Sequence, residues 1–422
     1  MSKSIKCIGL ICKMFLAILL FNIFFITFDV SATTDTNYFS GGEGTAENPY
    51  LIATADDFNN IAFFLESGQV AYYKQTNDII DGHLIEQPIG TLSKPFKGTY
   101  DGGGYTIANI NQHVDTTINS VETAVCGGLF GYNQGVIKNV CLKNSNFFLN
   151  YNVNVTTNSF QIFCGGIVAY NEGLIDRCYL DSTSITLMSV VHIPESIKKE
   201  SIFYTCAGGI AAYNNQGYIT NCGVGTDSSI LTESKNSNFS TKKETHITVA
   251  GGIVGYNYGK ISTMDPTYNG LIKNCYNKGF VTSMQSIMTE IFYPLVENGV
   301  EYNAGGIAGS NFGYIGTCYS TGIISANAID SLSNVGAIVG FGHLGSSIDE
   351  TKLGECYFSQ GVEQTKDYQT VEYVNRRGPG VNMDNSTCEE ITEHLNYFVF
   401  LHSEEVIQSN NIIYEETISK IV

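Results

Sequence analysis

Acid and base chemistry would require carboxylates that can share one substrate, and the sequence offers few candidates. Enzymes that cut acidic polysaccharides use paired carboxylates, or Ca²⁺-binding carboxylates with a basic residue that stabilises a developing anion. Asp176 lies close to Asp181 in the sequence, but neither has a counterpart in the neighbouring repeats described below. The other groups considered are Asp78, Asp81, Arg177, Arg376 and Arg377. We interpret these carboxylates as solvated surface groups and predict no catalytic residue.

Metal and nucleotide chemistry have equally little support in the sequence. It contains no HExxH motif, no CxxC pair and no cluster of histidines, which are the usual sources of zinc ligands. The segment Gly340–Gly345 reads GFGHLG and satisfies the pattern GxGxxG, but no strand–turn–helix pattern surrounds it. We therefore predict no metal site, no cofactor-binding site and no cofactor.

The charge balance excludes one class of partner. The formal net charge is −18, and such a surface repels nucleic acid and anionic membrane. Charged residues make up only 15% of the chain, well under the usual quarter, whereas Gly (44) and Tyr (26) are plentiful. We expect no nucleic-acid partner.

An internal repeat positions all of these residues. AGGIVGYNYGKIS, which begins at Ala250, recurs in related forms such as CGGLFGYNQGVIKNV and CGGIVAYNEGLIDRC. Gly165, Gly208 and Gly251 begin equivalent glycine pairs and are 43 residues apart at each step. The six copies begin at Gly127, Gly165, Gly208, Gly251, Gly305 and Gly336. A repeat of this length indicates stacked supersecondary units.

Three columns of the repeat have a clear physical meaning. The first is always a large aliphatic residue: Leu129, Ile167, Ile210, Ile253, Ile307 and Ile338. The second, two places on, is always Gly or Ala: Gly131, Ala169, Ala212, Gly255, Gly309 and Gly340. The third is asparagine: Asn133, Asn171, Asn214, Asn257 and Asn311. This spacing predicts a strand that ends in a turn, with asparagine amides passing hydrogen bonds between coils about 4.8 Å apart.

We predict an all-β chain that forms a right-handed parallel β-helix (β-solenoid), with capping elements that include a short N-terminal helix. Each repeat has three predicted strands, since segments such as Leu271–Cys275 and Gly279–Thr282 follow the first strand. The predicted organisation is a signal peptide over 1–32, an N-terminal cap and first coils over 33–125, six repeats over 126–361 and a C-terminal cap or tail over 362–422.

The repeat cores resemble a known family. GGLFGYNQG, GGIVGYNYG and GLIKNCYNKG are similar to the GLUG-motif repeats of bacterial surface and secreted proteins, over a region from Pro95 to Gly361. The resemblance implies a bacterial source and an extracellular setting. Such repeats occur in adhesin-like proteins and beside peptidase domains alike, so the resemblance leaves the activity open.

The cysteines follow the repeat. One column contains Cys178, Cys222, Cys275, Cys318 and Cys356, with Val140 at the same place in the first copy. Because valine and cysteine alternate at small buried apolar sites, we predict buried free thiols. An exported protein can also form disulfides, and Cys126 with Cys164 is the pair in which we expect one first.

The N-terminus predicts export. Lys3, Lys6 and Lys13 precede the apolar run from Met14 to Phe28, and Val30-Ser31-Ala32 has the small residues of a cleavage site. The run is short for a membrane span, so we predict a cleaved signal peptide and no stable span afterwards. The predicted location is secreted or at the cell surface.

Capping and loop segments complete the prediction. Thr54 is the expected cap of a helix that places Phe58, Ile61, Ala62 and Leu65 on one face. The polar stretches Glu195–Glu200, Glu233–Glu244 and Ser286–Glu301 should project from one edge of the solenoid. After Gly361 the repeat pattern stops, and Met383–Leu395 is predicted as a short helix.

Three functions remain open at this stage. The favoured one is an exported, non-enzymatic adhesin or interaction scaffold whose edge loops and tyrosine column contact an extracellular glycan or a host or matrix protein. The column contains Tyr132, Tyr170, Tyr213 and Tyr256, although these rings are more simply expected to stack on each other. The alternatives are a carbohydrate-active parallel β-helix enzyme (polysaccharide lyase or glycosidase) and the repeat region of a larger surface peptidase.

Overall fold

The chain folds as a parallel β-helix. The computed structural model describes residues 38–66, 70–119, 124–154, 159–192, 201–237, 244–259, 270–286, 300–328, 332–342, 356–359, 364–366, 369–370, 379–381 and 388–391. From Phe39 onward these residues belong to one compact unit. The predicted signal peptide lies outside the described residues.

Each complete coil contributes one strand to each of five sheets, which we number in the order in which the chain follows them from Ala124 onward. Sheet 1 contains Ala124–Gly127, Ser159–Gly165, Ser201–Gly208, Glu244–Gly251, Val300–Gly305 and Leu332–Gly336. Sheet 2 contains Phe130–Asn133, Val168–Asn171, Ala211–Asn215, Val254–Tyr258, Ala308–Phe312, Val339–Gly342 and Pro379–Val381. Sheet 3 contains Tyr50–Ile52, Tyr72–Gln75, Thr99–Asp101, Val136–Lys138, Leu174–Asp176, Tyr218–Thr220, Leu271–Lys273 and Tyr314–Gly316.

The last two sheets complete each coil. Sheet 4 contains Thr106–Ala108, Cys141–Lys143, Tyr179–Asp181, Gly223–Val224, Tyr276–Asn277, Tyr319–Ser320, Cys356–Ser359 and Cys388–Ile391. Sheet 5 contains Asn111–Ile118, Asn146–Asn154, Ser184–His192, Ser229–Ser237, Phe280–Gln285, Ile324–Asn327, Gln364–Lys366 and Gln369–Thr370. We number the coils 1 to 6 from their sheet 1 strands, so that coil 1 begins at Ala124 and coil 6 at Leu332.

The prediction of three strands per repeat was wrong, because sheets 1 and 4 were missed. Sheet 4 strands are as short as Gly223–Val224, which is too short to show an alternating pattern. In coils 3 and 4, sheet 1 strands place Thr205, His246 and Thr248 in the interior, so the expected apolar alternation is broken there. The parallel β-helix itself is confirmed, since neighbouring strands pair in parallel and in register from coil to coil.

The aliphatic and asparagine columns have the predicted roles. Every aliphatic residue of the first column, from Leu129 to Ile338, is fully buried. The asparagine side chains form a continuous ladder in which Asn133 donates to Asn171, Asn171 to Asn214, Asn214 to Asn257 and Asn257 to Asn311, each at 2.8 Å. The same side chain also closes the turn, as where the backbone N–H of Gly135 donates to Asn133 Oδ1 at 3.0 Å.

The glycine pair turns the chain from sheet 1 into sheet 2 within a space that excludes a side chain. A Cβ atom at Gly251 would overlap the carbonyl oxygen of Val254, and one at Gly208 would overlap that of Ala211. Gly165 and Gly305 meet the carbonyl oxygens of Val168 and Ala308 in the same way, so the first glycine of these four pairs is required by the close approach of the backbone to itself.

The helix Ala55–Glu66 lies at the N-terminal end and has the predicted start. The backbone N–H of Asp57 donates to Thr54 Oγ1 at 3.1 Å, and the N–H of Thr54 donates to Asp57 Oδ2 at 3.0 Å, which is a capping box. Phe58 and Ile61 are fully buried as expected. Ala62 is exposed, so its place on the buried face was predicted wrongly. A 3₁₀ helix, Gly82–Leu84, follows before coil 1.

The polar stretches were partly misassigned. Glu233 lies within the sheet 5 strand Ser229–Ser237, in which Ser234 is fully buried, and Glu301 lies within the sheet 1 strand Val300–Gly305. These strands are rich in hydroxyl groups, and they were predicted as loops because their interior side chains are polar. Glu195–Glu200, residues 238–243 and residues 287–299 lie outside the described residues.

The β-helix continues beyond Gly361. The strand Cys388–Ile391 pairs in parallel with Cys356–Ser359, where a helix was predicted for Met383–Leu395. The last coil offers unpaired backbone groups that a further strand satisfies, and this outweighs a short helical pattern. The other residues of the predicted helix lie outside the described part of the chain.

Candidate functional site: the aromatic corner between sheets 1 and 2

Asp176 is part of a structural network. Its Oδ2 lies 2.8 Å from Nε of Arg177, and its Oδ1 accepts hydrogen bonds from the Thr220 hydroxyl (2.8 Å) and the Asn221 amide (2.7 Å). Asp181 belongs to the next sheet, and no described hydrogen bond or ion pair joins it to Asp176. The geometry gives these two carboxylates no shared site.

The remaining predicted groups also lie in separate places. Asp78 Oδ1 accepts the backbone N–H of Thr106 at 2.8 Å, and Asp81 immediately precedes the 3₁₀ helix. Arg376 and Arg377 lie outside the described residues. In GFGHLG, Gly340 and Gly342 are part of the sheet 2 strand Val339–Gly342, so the described part of this motif is a strand of the repeat.

The cysteine column is a ladder of buried thiols. The backbone N–H of Cys178 lies 3.4 Å from Sγ of Cys222, that of Cys222 lies 3.5 Å from Cys275, and that of Cys275 lies 3.4 Å from Cys318. Burial raises the pKa of the Cys222 thiol well above its ordinary value, with its cysteine neighbours contributing further. These thiols are not activated for nucleophilic chemistry.

Cys126 and Cys164 are not bonded to each other, contrary to the sequence-based expectation. Cys126 pairs with Phe163, whereas Cys164 pairs with Gly127. The sheet 1 register is therefore shifted by one residue from the sheet 2 register in these coils, and a shift of one residue turns the two side chains to opposite faces. Burial raises the pKa of Cys126 to about 12.

The tyrosine column forms a second ladder, on the outside of sheet 2. Ring centroids are 4.7 Å apart between Tyr132 and Tyr170, 5.1 Å between Tyr170 and Tyr213, and 5.0 Å between Tyr213 and Tyr256, with interplanar angles of 9° or less. Phe312 continues the stack at 5.1 Å from Tyr256. The interpretation that the rings stack on one another is confirmed, and their faces are covered by neighbouring rings.

The ladder covers a second apolar cluster outside the main core. Sheets 1 and 2 meet at the glycine pair, and the outward side chains of sheet 1 pack against the rings and the Gly/Ala column of sheet 2. The buried members are Phe163, Ala169, Cys206, Ala212, Val249 and Tyr256. We call this surface, with its flanking Tyr204 and Ile247, the aromatic corner. The tiny residues of the second column leave the space that this cluster fills.

Polar groups lie at the edge of the aromatic corner. Glu172 accepts hydrogen bonds from Gln134 (2.9 Å) and Asn215 (2.7 Å), and so joins coils 1, 2 and 3. Burial raises the pKa of Tyr170 to about 12, and the charge of Glu172 contributes. The neutral phenols can therefore donate and accept hydrogen bonds at any physiological pH.

The aromatic corner changes character at coil 5. Asn303 is fully buried there and donates to Ser310 Oγ at 3.0 Å and to Glu301 Oε2 at 3.4 Å. Asn334 of coil 6 donates to Asn303 Oδ1 at 2.7 Å. This group was not predicted from the sequence. Its signal there is Ser310, which replaces a tyrosine in an otherwise aromatic column.

The aromatic corner combines aromatic side chains with a small number of polar ones. Aromatic side chains with a few convergent amide, hydroxyl and carboxyl groups are typical of ligand sites. Within the described residues no group of three or more His, Cys, Asp and Glu side chains is arranged to hold a metal ion. In that same part of the chain, no helix is long and apolar enough to cross a membrane.

Comparison with known proteins supports the fold. No family model matches the chain. A crystal structure from Bacteroides ovatus, provisionally named an immunoglobulin A1 protease, superposes with a TM-score of 0.51 at 21% identity, covering 86% of this chain and 90% of that one. A protein of Evansella cellulosilytica, provisionally named a Gly-rich membrane protein, is 35% identical over 117 residues. That match covers 26% of this chain and 12% of the relative. The chain is therefore a repeat protein with the β-helix fold of the Bacteroides structure.

Proposed function

We propose that this chain is an exported, non-enzymatic repeat protein of the cell surface, and that it serves as an interaction scaffold. Its partner is an extracellular glycan or a host or matrix protein. The β-helix holds the contact surfaces in fixed positions, because each coil is locked to the next by the asparagine ladder and the aliphatic column.

The observation that carries this proposal is the position in the fold at which the repeats differ from one another. Each connection from sheet 5 to sheet 1 begins and ends on the same edge of the β-helix, as between Ser237 and Glu244 or between Gln285 and Val300. The turn from sheet 1 to sheet 2 is always made by the glycine pair or its equivalent. Apart from the insertion at residues 260–269, the largest differences in length among coils 1 to 5 lie in these connections. Variation collected mainly along one edge is typical of a binding face on a repeat scaffold.

The names of similar proteins support a surface setting. The relative from Evansella is named as a membrane protein and the Bacteroides structure as an immunoglobulin A1 protease. Together with the predicted signal peptide, these names favour export.

Loop replacement tests the scaffold proposal. Residues 238–243 and 287–299 are replaced by short Gly-Ser turns that leave the strands Ser229–Ser237, Glu244–Gly251 and Val300–Gly305 intact. We expect an unchanged β circular dichroism spectrum and weaker binding to glycan and matrix-protein arrays. The control variant replaces residues 260–269, which join sheet 2 to sheet 3 on another edge. Full binding by the first variant would show that the edge loops are not the contact surface.

A peptidase-associated role is the second candidate, and the name of the Bacteroides structure favours it. On this alternative the β-helix presents substrate to a catalytic domain. Incubation of the purified chain with immunoglobulin A1, followed by electrophoresis, tests whether the chain itself cuts. Cleavage would overturn the non-enzymatic proposal.

A further inference from the structure

Three columns of the aromatic corner change from largely apolar to polar in the same coil. The outermost column of sheet 1 reads Gln161, Tyr204, Ile247 and then Glu301. The next column reads Phe163, Cys206, Val249 and then Asn303. The tyrosine column of sheet 2 reads Tyr170, Tyr213, Tyr256 and then Ser310. These three replacements meet in one place, although they come from two different sheets.

The polar side chains form one connected group. Asn303 is its centre, because its amide nitrogen donates to both Glu301 and Ser310 and its oxygen accepts from Asn334. Asn303 and Ser310 are fully buried, Asn334 is 6% exposed and Glu301 is partly exposed. Asn303 therefore positions its neighbours, while Glu301 and Asn334 lie closer to the surface.

The fold itself does not require this group. Coil 4 builds the same corner from Ile247, Val249 and Tyr256, and the second apolar cluster is continuous there. Burial raises the pKa of Glu301 even though Asn303 donates to its carboxylate, so the charged group destabilises the folded state at neutral pH. A local departure from the repeat that costs stability is expected at functional positions.

The surroundings indicate the chemistry of the ligand. Phe312 stacks on Tyr256 and lies 6.3 Å from Phe341, so aromatic rings lie beside the polar group. Amide side chains donate and accept hydrogen bonds at once, which suits a ligand rich in hydroxyl or amide groups. The net charge of −18 and the carboxyl group of Glu301 disfavour an anionic ligand.

We propose that Glu301, Asn303, Ser310 and Asn334 form a subsite for a neutral saccharide in the aromatic corner at coils 5 and 6. This inference rests on the proposed scaffold function and assigns its glycan partner to a described surface. The sugar hydroxyls bind the partly exposed Glu301 carboxyl, and Asn303, which hydrogen-bonds to Ser310 and Asn334, holds this carboxyl in place.

The test uses the full exported chain and defined oligosaccharides. Calorimetric titrations are made with hexasaccharides of glucose, mannose, galactose and N-acetylglucosamine, and with polygalacturonate as an anionic comparison. We expect at least one neutral hexasaccharide to bind and polygalacturonate not to bind. Glu301→Gln should weaken binding at least tenfold, and Glu233→Gln on the outer face of sheet 5 is the matched control with unchanged binding.

A second variant separates binding from folding. A quadruple variant combines Glu301→Ile, Asn303→Val, Ser310→Ala and Asn334→Val. It removes both partners of each hydrogen bond described within the group, so none of these bonds leaves one polar atom behind. We expect this variant to melt at the same or a higher temperature and to bind none of the hexasaccharides. A lower melting temperature with normal binding would show that the group is structural.

The remaining outcomes distinguish this subsite from the scaffold proposal. Full binding by both coil 5 variants would overturn the subsite and leave glycan binding elsewhere on the scaffold. Binding of a matrix protein, with no hexasaccharide bound, would overturn the saccharide assignment and leave the scaffold function standing. If neither class binds, both proposals fail.

Discussion

Asn214 and Asn257, which lie 43 residues apart in the sequence, are joined by a 2.8 Å hydrogen bond between their side-chain amides. Asn214 also accepts from Asn171 and donates to the carbonyl oxygen of Gly217, and it is fully buried. One side chain therefore fixes the register of three coils and closes a turn.

Replacement of Asn214 by aspartate should destabilise the protein through this ladder. The substitution preserves shape but removes the N–H groups that Asn257 and Gly217 accept, and it buries a charge, so we expect a loss of about 2–4 kcal/mol. The free energy of unfolding in denaturant measures the effect. Asn152→Asp on the exposed face of sheet 5 is the control, with a change of about 0.5 kcal/mol or less. Equal effects of the two substitutions would contradict the importance of the ladder.

Replacement of Ile253 by aspartate tests the aliphatic column. Ile253 is fully buried between two neighbouring coils, whereas Ile202 is 44% exposed on the outside of sheet 1. We expect Ile253→Asp to cost about 4 kcal/mol or more, because the carboxylate has no water or polar partner to replace its hydration. Ile202→Asp, the same change on the surface, should cost less than about 1 kcal/mol. Comparable melting temperatures for the two variants would show that the column is not the core.

His246 should make stability depend on pH. It is fully buried with Nε2 3.0 Å from the Thr205 hydroxyl, and burial lowers its pKa from 6.5 to about 3. Below about pH 6.5 the unfolded chain binds a proton that the folded chain does not, so stability falls by up to about 1.4 kcal/mol per pH unit. Unfolding measured between pH 7 and pH 4 should show a steeper loss for the native chain than for His246→Gln. Parallel profiles would mean that His246 is protonated in the folded state.

The thiols should be unreactive in the folded protein. Cys178, Cys222, Cys275 and Cys318 are at most 1% exposed, and burial raises the pKa of Cys141 to about 11. We expect a thiol reagent at about pH 8 to label few of the nine cysteines whose side chains are described in the native state, and all of them in denaturant. Four or more disulfides by mass spectrometry would contradict this prediction.

The sequence predicted the β-helix because three columns repeat in at least five of the six copies, with Gly342 in place of the asparagine in the sixth. Ile253 and its equivalents, and Asn257 and its equivalents, must meet the same neighbours in every coil, so stacking imposes the same residue type at each level. The helix start at Thr54 was likewise predictable, because a capping box is a local pattern.

The features that were not predicted depend on contacts between different columns of the repeat. Gly223–Val224 has too few residues to show a strand period. The interior Thr205 and His246 break the apolar alternation of a strand, although they hydrogen-bond to each other between coils 3 and 4. To predict the polar group around Asn303, one would have to know how the strands of sheet 1 are aligned with those of sheet 2. The one-residue shift between Cys126 and Phe163 shows that this register cannot be taken from the aligned glycine pairs alone.

Because the coils stack in register, the β-helix can become longer or shorter by whole coils. Gly208 pairs with Gly251, so removing residues 208–250 would join two equivalent points of the chain and set Asn171 against Asn257 with no change of register. Each such step shortens the β-helix by about 4.8 Å. Duplication or loss of a single repeat would therefore change the length of the β-helix by one coil, independently of what its surface binds.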